Sequence, residues 1–221
     1  MDLRARRRLI GQKESDARLP REYREIEYIE ANKTQYFWAD ILVQDGLTVD
    51  AVQSFNVGDT FLFGGYADAS ANNRSAFNGM YAGRIQGVYP TSYYLVGGDI
   101  LGGNRAIYHV VTMHGNQERK VYVDDVLISS VTVSGVVAQT GAPCGVFAIR
   151  SANAVGTDVA LIRYAYSGRV YSLKVSKDNE LLADYVPCYR RSDQKPGMYD
   201  LVTEKFYASE SETDFIAGPR V

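Results

Sequence analysis

Three glutamates near the start of the chain have a spacing that could support acid–base chemistry. Glu25, Glu27 and Glu30 form the pattern Glu-x-Glu-x-x-Glu. Residues two apart in a β-strand lie on the same face, so Glu25 and Glu27 would share a face and Glu30 would need a bulge to join them. Paired carboxylates hydrolyse glycosidic bonds when they are held about 5–9 Å apart across a sugar cleft. Polar residues alternating with Ile26 and Tyr28 on the solvent side of a strand produce the same pattern, and we favour that interpretation.

The histidines and cysteines lack the spacing of a metal centre. His109 and His114 are five residues apart in a predicted strand, which places them on opposite faces, and the sequence has no third histidine. Cys144 and Cys188 share no metal-ligand spacing, and we interpret both as buried apolar residues. The sequence also lacks a serine nucleophile elbow, a phosphate-binding glycine loop and an EF-hand loop. We therefore predict no catalytic residue, no metal site and no cofactor.

A polar segment beside several tyrosines has the composition of a sugar-binding site. Residues 66–79 are small or polar and are predicted to form a loop. Aromatic rings stack on the apolar faces of sugars, while amide and guanidinium groups bind the hydroxyl groups. The alternative is a solvated loop whose neighbouring tyrosines pack at sheet edges. The candidate glycan-binding residues are Tyr66, Asn72, Asn73, Arg74, Tyr81, Tyr89, Tyr93 and Tyr94.

The first 18 residues differ in charge from the rest of the chain. Five basic residues stand against one acid in the first thirteen positions, and Pro20 marks the boundary of the segment. Too short to fold alone, the segment has apolar residues that it can bury, so we expect it to dock on another protein and become ordered there. Nucleic-acid capture and a disordered, solubilising tail are the alternatives. The candidate anchor residues are Leu3, Arg4, Arg6, Arg7, Arg8, Leu9 and Ile10.

The composition is that of a globular protein with one core. The chain has 221 residues, of which 46% are hydrophobic and 23% charged. Its 24 basic and 26 acidic residues leave a net charge of -2, so the overall balance favours neither a nucleic-acid partner nor an acidic membrane. No apolar run approaches the roughly 18 residues of a membrane-spanning helix, and the start lacks the apolar region of a secretory signal. We therefore expect a protein made in a cytosol, without a membrane partner.

Short strands and turns are predicted from Tyr23 onward. The clearest hairpin joins residues 120–123 and 126–128 through Asp124 and Asp125, although Asp-Asp is weaker turn chemistry than Asp-Gly and a longer loop stays open. A second turn is predicted at residues 177–180. About a dozen strands without a helix favour an all-β fold, a two-sheet antiparallel sandwich.

Three predicted strands in the second half supply details that the structure can test. Residues 144–150 and 159–166 each read as one strand. In the third, residues 169–175, strict alternation would turn Tyr171, Leu173 and Val175 to one face and Val170, Ser172 and Lys174 to the other.

Several segments resemble the concanavalin A-like, or laminin-G-like, jelly-roll domains of phage virion proteins and gut-bacterial surface proteins. The opening resembles them at residues 19–23, 27–30 and 34–36, and the central hairpin at residues 121–127. The end of the chain resembles them at residues 168–174, 184–188, 197–203, 205–207 and 215–219. The resemblance implies that residues 19–221 form one jelly-roll β-sandwich behind the anchor of residues 1–18. It carries no active site that could be transferred to this chain.

The resemblance also implies a function. We expect a phage virion surface protein, a capsid or tail decoration, assembled in the host cytoplasm and displaying a lectin-like domain to host or mucosal glycans. The leader would attach to a capsid or tail protein, and many copies or a homo-oligomer would combine weak sugar contacts through avidity. No enzymatic activity is expected. The alternatives are a purely structural decoration protein without a ligand, a jelly-roll glycosidase and a bacterial surface adhesin.

Overall fold

The computed structural model describes residues 18–56, 60–66, 74–81, 84–89, 92–95, 106–114, 118–132, 143–150, 162–163 and 165–221. For several strand residues in the ranges 66–95, 114, 150 and 162–163, the description is of the backbone alone. The secondary-structure elements in these ranges are all β-strands, and they form two sheets. The expectation of an all-β, two-sheet fold is therefore confirmed. The anchor residues Leu3 to Ile10 lie outside the described residues, so the boundary at residue 18 stays a prediction.

The larger sheet contains eleven of the described strands, numbered here in chain order. Neighbours along its main path are β11 (Val126–Thr132), β10 (Glu118–Val123), β9 (Tyr108–His114), β4 (Leu47–Phe55), β15 (Ser167–Lys177), β16 (Glu180–Arg190), β17 (Pro196–Asp200) and β18 (Lys205–Ala208). Off this path, β1 (Tyr23–Glu25) pairs with β16, while β2 (Ile29–Asn32) pairs with β15 and β19 (Ile216–Ala217).

The smaller sheet contains eight of the described strands. Its main path is β14 (Ile162–Arg163), β13 (Ile149–Arg150), β5 (Thr60–Tyr66), β6 (Arg74–Tyr81), β7 (Arg84–Tyr89) and β8 (Ser92–Leu95). Another strand, β12 (Pro143–Val146), pairs with both β5 and β3 (Phe37–Leu42). The described pairings are antiparallel except for β13 with β5.

Both predicted turns are present and contain two residues each. Asp124 and Asp125 join β10 to β11 with φ angles of 49° and 68°, and Asp178 and Asn179 join β15 to β16 with φ angles of 49° and 71°. Positive φ at both central residues is typical of a hairpin turn whose twist matches the strands, and Asp and Asn tolerate it better than other non-glycine residues. The longer loop that the sequence left open at Asp124 does not form.

Strand β15 departs from the predicted alternation. Its register with β4 shifts between Val170, which pairs with Gln53, and Ser172, which pairs with Val52, so Tyr171 is the extra residue of a bulge. The bulge restarts the alternation, and Val170 joins Leu173 in the core. The prediction that Tyr171 would share a face with Leu173 and Val175, opposite Val170, was wrong because it assumed an unbroken strand. Tyr171 instead contacts the ring of Tyr28.

Three other predicted elements have different bounds. The expected loop at residues 66–79 is wrong from Arg74 onward, because residues 74–81 form β6 by pairing with β5. Residues 144–150 form two strands rather than one, since Phe147 has a φ of 64° and directs the chain from β12 into β13. Within the predicted strand at 159–166, the described part contains only the short strand β14.

The core lies between the sheets and contains a cluster of aromatic rings. Phe37 of β3 is fully buried and packs against rings of the larger sheet and of the chain's last segment. Cys144 and Cys188 are buried free thiols, as predicted, and burial raises the pKa of the Cys188 thiol to about 12. Neither thiol is therefore a ready nucleophile at neutral pH.

Candidate functional site

The backbone brings part of the predicted glycan-binding set to one end of the smaller sheet. Tyr66 and Arg74 are paired residues of β5 and β6, and Tyr89, paired with Ser92, lies at the same end because β5 to β8 run alternately up and down. Tyr81 lies at the other end of β6, about 23 Å from Arg74 by the rise of a strand.

The remaining members of that set are only partly placed. Tyr93 and Tyr94 belong to β8 and pair with Val88 and Gly87 of β7. Asn72 and Asn73 lie outside the described residues, and the side chains of the tyrosines and of Arg74 are likewise outside the description. A glycan site at this end of the sheet therefore stays a prediction.

The three glutamates do not share one strand. Strand β1 ends at Glu25, whose carboxylate forms an ion pair with Arg18, whereas Glu30 belongs to β2 and its Oε2 lies 2.7 Å from Nε of Arg169. Glu27 lies between the strands, and its N–H donates to the carbonyl of Pro219. Glu25 and Glu27 are both half-buried and flank the fully buried Ile26, so their common face stays a prediction.

His109 is held between two carboxylates on the larger sheet. Its Nε2 lies 2.9 Å from Oδ1 of Asp50 on β4, and its Nδ1 lies 3.2 Å from Oδ1 of Asp125 in the β10–β11 turn. The same turn is bound twice to the backbone of His109, because Asp124 accepts from the His109 N–H and donates its own N–H to the His109 carbonyl. Hydrogen bonding to Asp50 is the main cause that raises the pKa of His109. His109 therefore holds the β10–β11 turn against the sheet. The side chain of His114 is not described.

Replacing His109 with glutamine is expected to lower stability more at pH 6 than at pH 9. A histidine whose folded pKa is raised above the unfolded value of about 6.5 contributes fully below that value and loses its contribution as pH rises through the folded pKa. At high pH the neutral ring donates to only one carboxylate. We expect H109Q to cost about 1–2 kcal/mol at pH 6 and less at pH 9 in urea unfolding. An H109Q variant that loses as much stability at pH 9 as at pH 6, or more, would contradict this prediction. K120Q is the control, and its effect on the free energy of unfolding should be the same at pH 6 and pH 9.

A second cluster, which we call the aromatic platform, comprises Tyr36 and Trp38. Along β3, Phe37 and Ala39 face the core, so Trp38 and Asp40 point the opposite way. The rings of Tyr36 and Trp38 have centroids 5.2 Å apart and planes inclined by 57°. Trp38 pairs with Gly145 of β12, and a Cβ on that glycine would lie 3.0 Å from the indole. The small neighbour therefore leaves room for the indole on the outer surface of the sheet.

Polar groups from distant parts of the chain surround the platform. The backbone N–H of Trp38 donates to Oε1 of Glu210 at 3.1 Å, and the backbone N–H of Glu210 donates to the carbonyl of Tyr36 at 2.8 Å. Asp40 Oδ2 accepts from Lys205 and from the hydroxyl of Tyr207. We call Asp40, Lys205 and Glu210 the polar rim of the platform.

The electrostatics of the platform keep its groups in definite states. Hydrogen bonding to Lys205 holds the pKa of Asp40 below its usual value, so this carboxylate stays ionised at neutral pH. Burial, with a smaller contribution from the charge of Glu210, raises the pKa of Tyr36, so its hydroxyl stays protonated. The side chains of Asp40 and Lys205 are 52% and 59% exposed, and within the described structure Oε2 of Glu210 has no protein partner. The cluster therefore places two half-buried aromatic rings beside carboxylate acceptors and hydroxyl or ammonium donors.

Sequence reasoning missed this platform although a signal was present. The alternation from Tyr36 to Asp40 places two aromatic residues and an acid on one face of a strand. The pattern could not show whether that face is covered, and it gave no sign that residues 205–210 pack beside it.

Comparisons with known proteins give a fold and no family. The sequence matches no model of a protein family and no curated protein. Among solved structures, it is similar to a native heptameric SAP-like pentraxin from Limulus polyphemus, with a TM-score of 0.57 and 15% identity over 93% of this chain and 98% of that one. Pentraxins have a concanavalin A-like jelly-roll lectin fold, so the jelly-roll prediction is confirmed.

Two further findings concern the described residues. They include no helix that is long and apolar enough to cross a membrane. They also include no group of three or more His, Cys, Asp and Glu side chains that could hold a metal ion.

Proposed function

We propose that this chain is a carbohydrate-binding protein of a phage virion surface, whose jelly roll holds glycans on the aromatic platform and whose first 18 residues attach it to the particle. The observation that carries the binding function is the pair of non-parallel rings, Tyr36 and Trp38, surrounded by two carboxylates and an ammonium group. Sugars have apolar C–H faces that stack on aromatic rings and hydroxyl groups that both donate and accept hydrogen bonds. The platform offers partners for both.

The location of the platform favours a ligand that approaches from solvent. In the described structure, β3 pairs with β12 alone, so it lies at an edge of the smaller sheet. Residues 209–215 run beside that edge, where the amide of Gln35 donates to the carbonyl of Asp214 at 3.1 Å. These contacts fix the backbone on both sides of the rings before a ligand arrives, which lowers the entropy cost of binding.

Replacing Trp38 with alanine is expected to weaken glycan binding by about 2 kcal/mol, or about thirtyfold in Kd, because the ring provides most of the stacking surface. Y36A should have a smaller effect in the same direction. Binding is measured first on a glycan array and then by titration with the best glycan. The matched control is Y122A, which removes a half-buried tyrosine from β10, at the other side of the larger sheet from β18.

Trp38 also supplies a direct readout, since it is the one tryptophan of the chain. A glycan that stacks on the platform should change the tryptophan emission of the unmodified protein. If a glycan binds without changing the emission of the unmodified protein, and binds W38A with the same affinity, the glycan site lies elsewhere. If no array glycan binds, the function as a lectin fails and the structural decoration protein becomes the better description.

The attachment role is tested by deleting residues 1–18. The basic and apolar residues of this segment support docking on a particle protein, while the jelly roll is expected to fold without them. The truncated chain should retain its cooperative unfolding and its glycan affinity but lose incorporation when it is expressed during phage assembly. Normal incorporation of the truncated chain would contradict this role.

A further inference from the structure

We infer that the aromatic platform selects neutral glycan chains in solution and discriminates against anionic sugars and flat crystalline polysaccharides. This inference rests on the proposed function and specifies the class of ligand for the same site. It comes from two independent features of the platform, namely the angle between its rings and the charge of its rim.

The angle between the rings excludes a flat ligand surface. A crystalline polysaccharide presents sugar faces in one plane, so aromatic side chains that bind it must be nearly coplanar. The planes of Tyr36 and Trp38 are inclined by 57°, so a ligand that lies flat on one ring meets the other at an angle. A single chain can rotate about its glycosidic bonds to follow such a bend.

The charge of the rim disfavours anionic sugars. The described rim contains the carboxylates of Asp40 and Glu210 against the single ammonium of Lys205. Lys205 is already paired with Asp40, and Asp40 also accepts from Tyr207. A sulfate or a sialic acid carboxylate on the platform would therefore meet net negative charge without an available cation among the described rim residues. Like charges brought together at this exposed rim oppose binding, most of all at low ionic strength, whereas neutral hydroxyl groups can donate to the carboxylates.

The experiment compares matched sugars by tryptophan fluorescence on the full-length protein and by isothermal titration calorimetry on both the full-length protein and W38A, which has no tryptophan. The soluble probes are N-acetyllactosamine, its 3′-sialylated form and its 6-sulfated form, together with neutral and sulfated oligosaccharides of any scaffold that the glycan array identifies. Microcrystalline cellulose and chitin are tested by co-sedimentation. We expect the neutral member of each pair to bind at least about tenfold more tightly than its anionic form, since like-charge contact is the discriminating element. We expect the unmodified protein and W38A to sediment with cellulose and with chitin to the same extent.

Charge variants separate the rim from the rest of the surface. Glu210→Gln keeps the shape of the side chain and its acceptor for the backbone N–H of Trp38, so it should reduce the preference for the neutral probe, measured as the ratio of the Kd values of the anionic and neutral forms. Asp40→Asn should reduce the preference for the neutral probe further. Glu118→Gln removes an exposed charge from β10, far along the larger sheet from β18, and should leave the preference unchanged.

The outcomes distinguish this inference from the proposed function. Equal or tighter binding of the anionic probes that depends on Trp38 would overturn the selectivity and leave the glycan-binding function standing. Sedimentation with cellulose or chitin that W38A abolishes would overturn the exclusion of flat surfaces. Absence of any binding that depends on Trp38 would overturn both proposals together. An unchanged preference in E210Q and D40N would remove the rim as its cause.

Discussion

Replacing Phe37 with alanine is expected to lower the free energy of unfolding by about 3–5 kcal/mol, the range for removing a buried aromatic side chain. Phe37 is fully buried in β3, between Tyr36 and Trp38 in sequence, and its ring stacks on Tyr207 with centroids 4.8 Å apart and planes inclined by 26°. Further rings within 6.5 Å belong to Phe147, Tyr185 and Phe215. Because these residues come from both sheets and from the end of the chain, the loss of Phe37 leaves a cavity that no single element can close.

The measurement is urea unfolding of F37A beside F37L and V126A. F37L fills most of the space and should lose less stability than F37A, so it keeps the prediction testable if F37A does not fold. Val126 is 61% exposed on β11, and its replacement should change stability by less than about 0.5 kcal/mol. A cost for F37A close to that of V126A would show that the centre of the sandwich lies elsewhere.

Replacing Gly168 with alanine is expected to cost about 3–5 kcal/mol, through both backbone strain and overpacking. Gly168 has a φ of 153°, and a Cβ there would lie 2.0 Å from the carbonyl oxygen of Ser54 on the neighbouring strand β4. The same Cβ would lie 3.0 Å from the hydroxyl of Tyr166, which is fully buried and donates to that Ser54 carbonyl at 2.9 Å. The substitution must therefore separate β15 from β4 or leave a buried hydroxyl without its partner.

Gly46→Ala is the matched control for this prediction. Gly46 also has a positive φ, 81°, but its Cβ would meet only the side chains of Asp178 and Lys177, at 3.3 Å and beyond. Flexible side chains can move, so only the backbone strain remains and G46A should cost about 1 kcal/mol. Thermal and urea unfolding of both variants should therefore rank them clearly. Equal losses would mean that strain alone, without the contact to Ser54, explains the requirement for glycine.

The fold was predictable to the extent that it depends on local pattern. The pairs Asp124 with Asp125 and Asp178 with Asn179 predicted two hairpins, because few residues adopt positive φ in consecutive positions. The bulge at Tyr171 was not predictable, since it arises where β15 leaves its pairing with β2 and begins to pair with β16. Residues 74–79 were misread as loop because their polar composition hides a strand whose backbone is bound by β5.

The candidate site was less predictable than the fold. The alternation in β3 was visible, and it places Trp38 away from Phe37. The Glu-x-Glu-x-x-Glu pattern, in contrast, did not show that β1 ends at Glu25 and that Glu30 belongs to the next strand. The role of His109 in holding a turn was not predictable, because it depends on Asp50, which lies 59 residues away in the sequence.

By itself the sequence determined the class of fold, because hydrophobic alternation and turn residues act between neighbours in the chain and most strands carry their own signal. Only the tertiary structure decided which surface could bind a ligand. Trp38 and Glu210 are 172 residues apart, and Asp40 and Lys205 are 165 residues apart, yet each pair is in contact. Such contacts depend on which strand lies at which edge when two sheets pack, and no local pattern of residues records that choice.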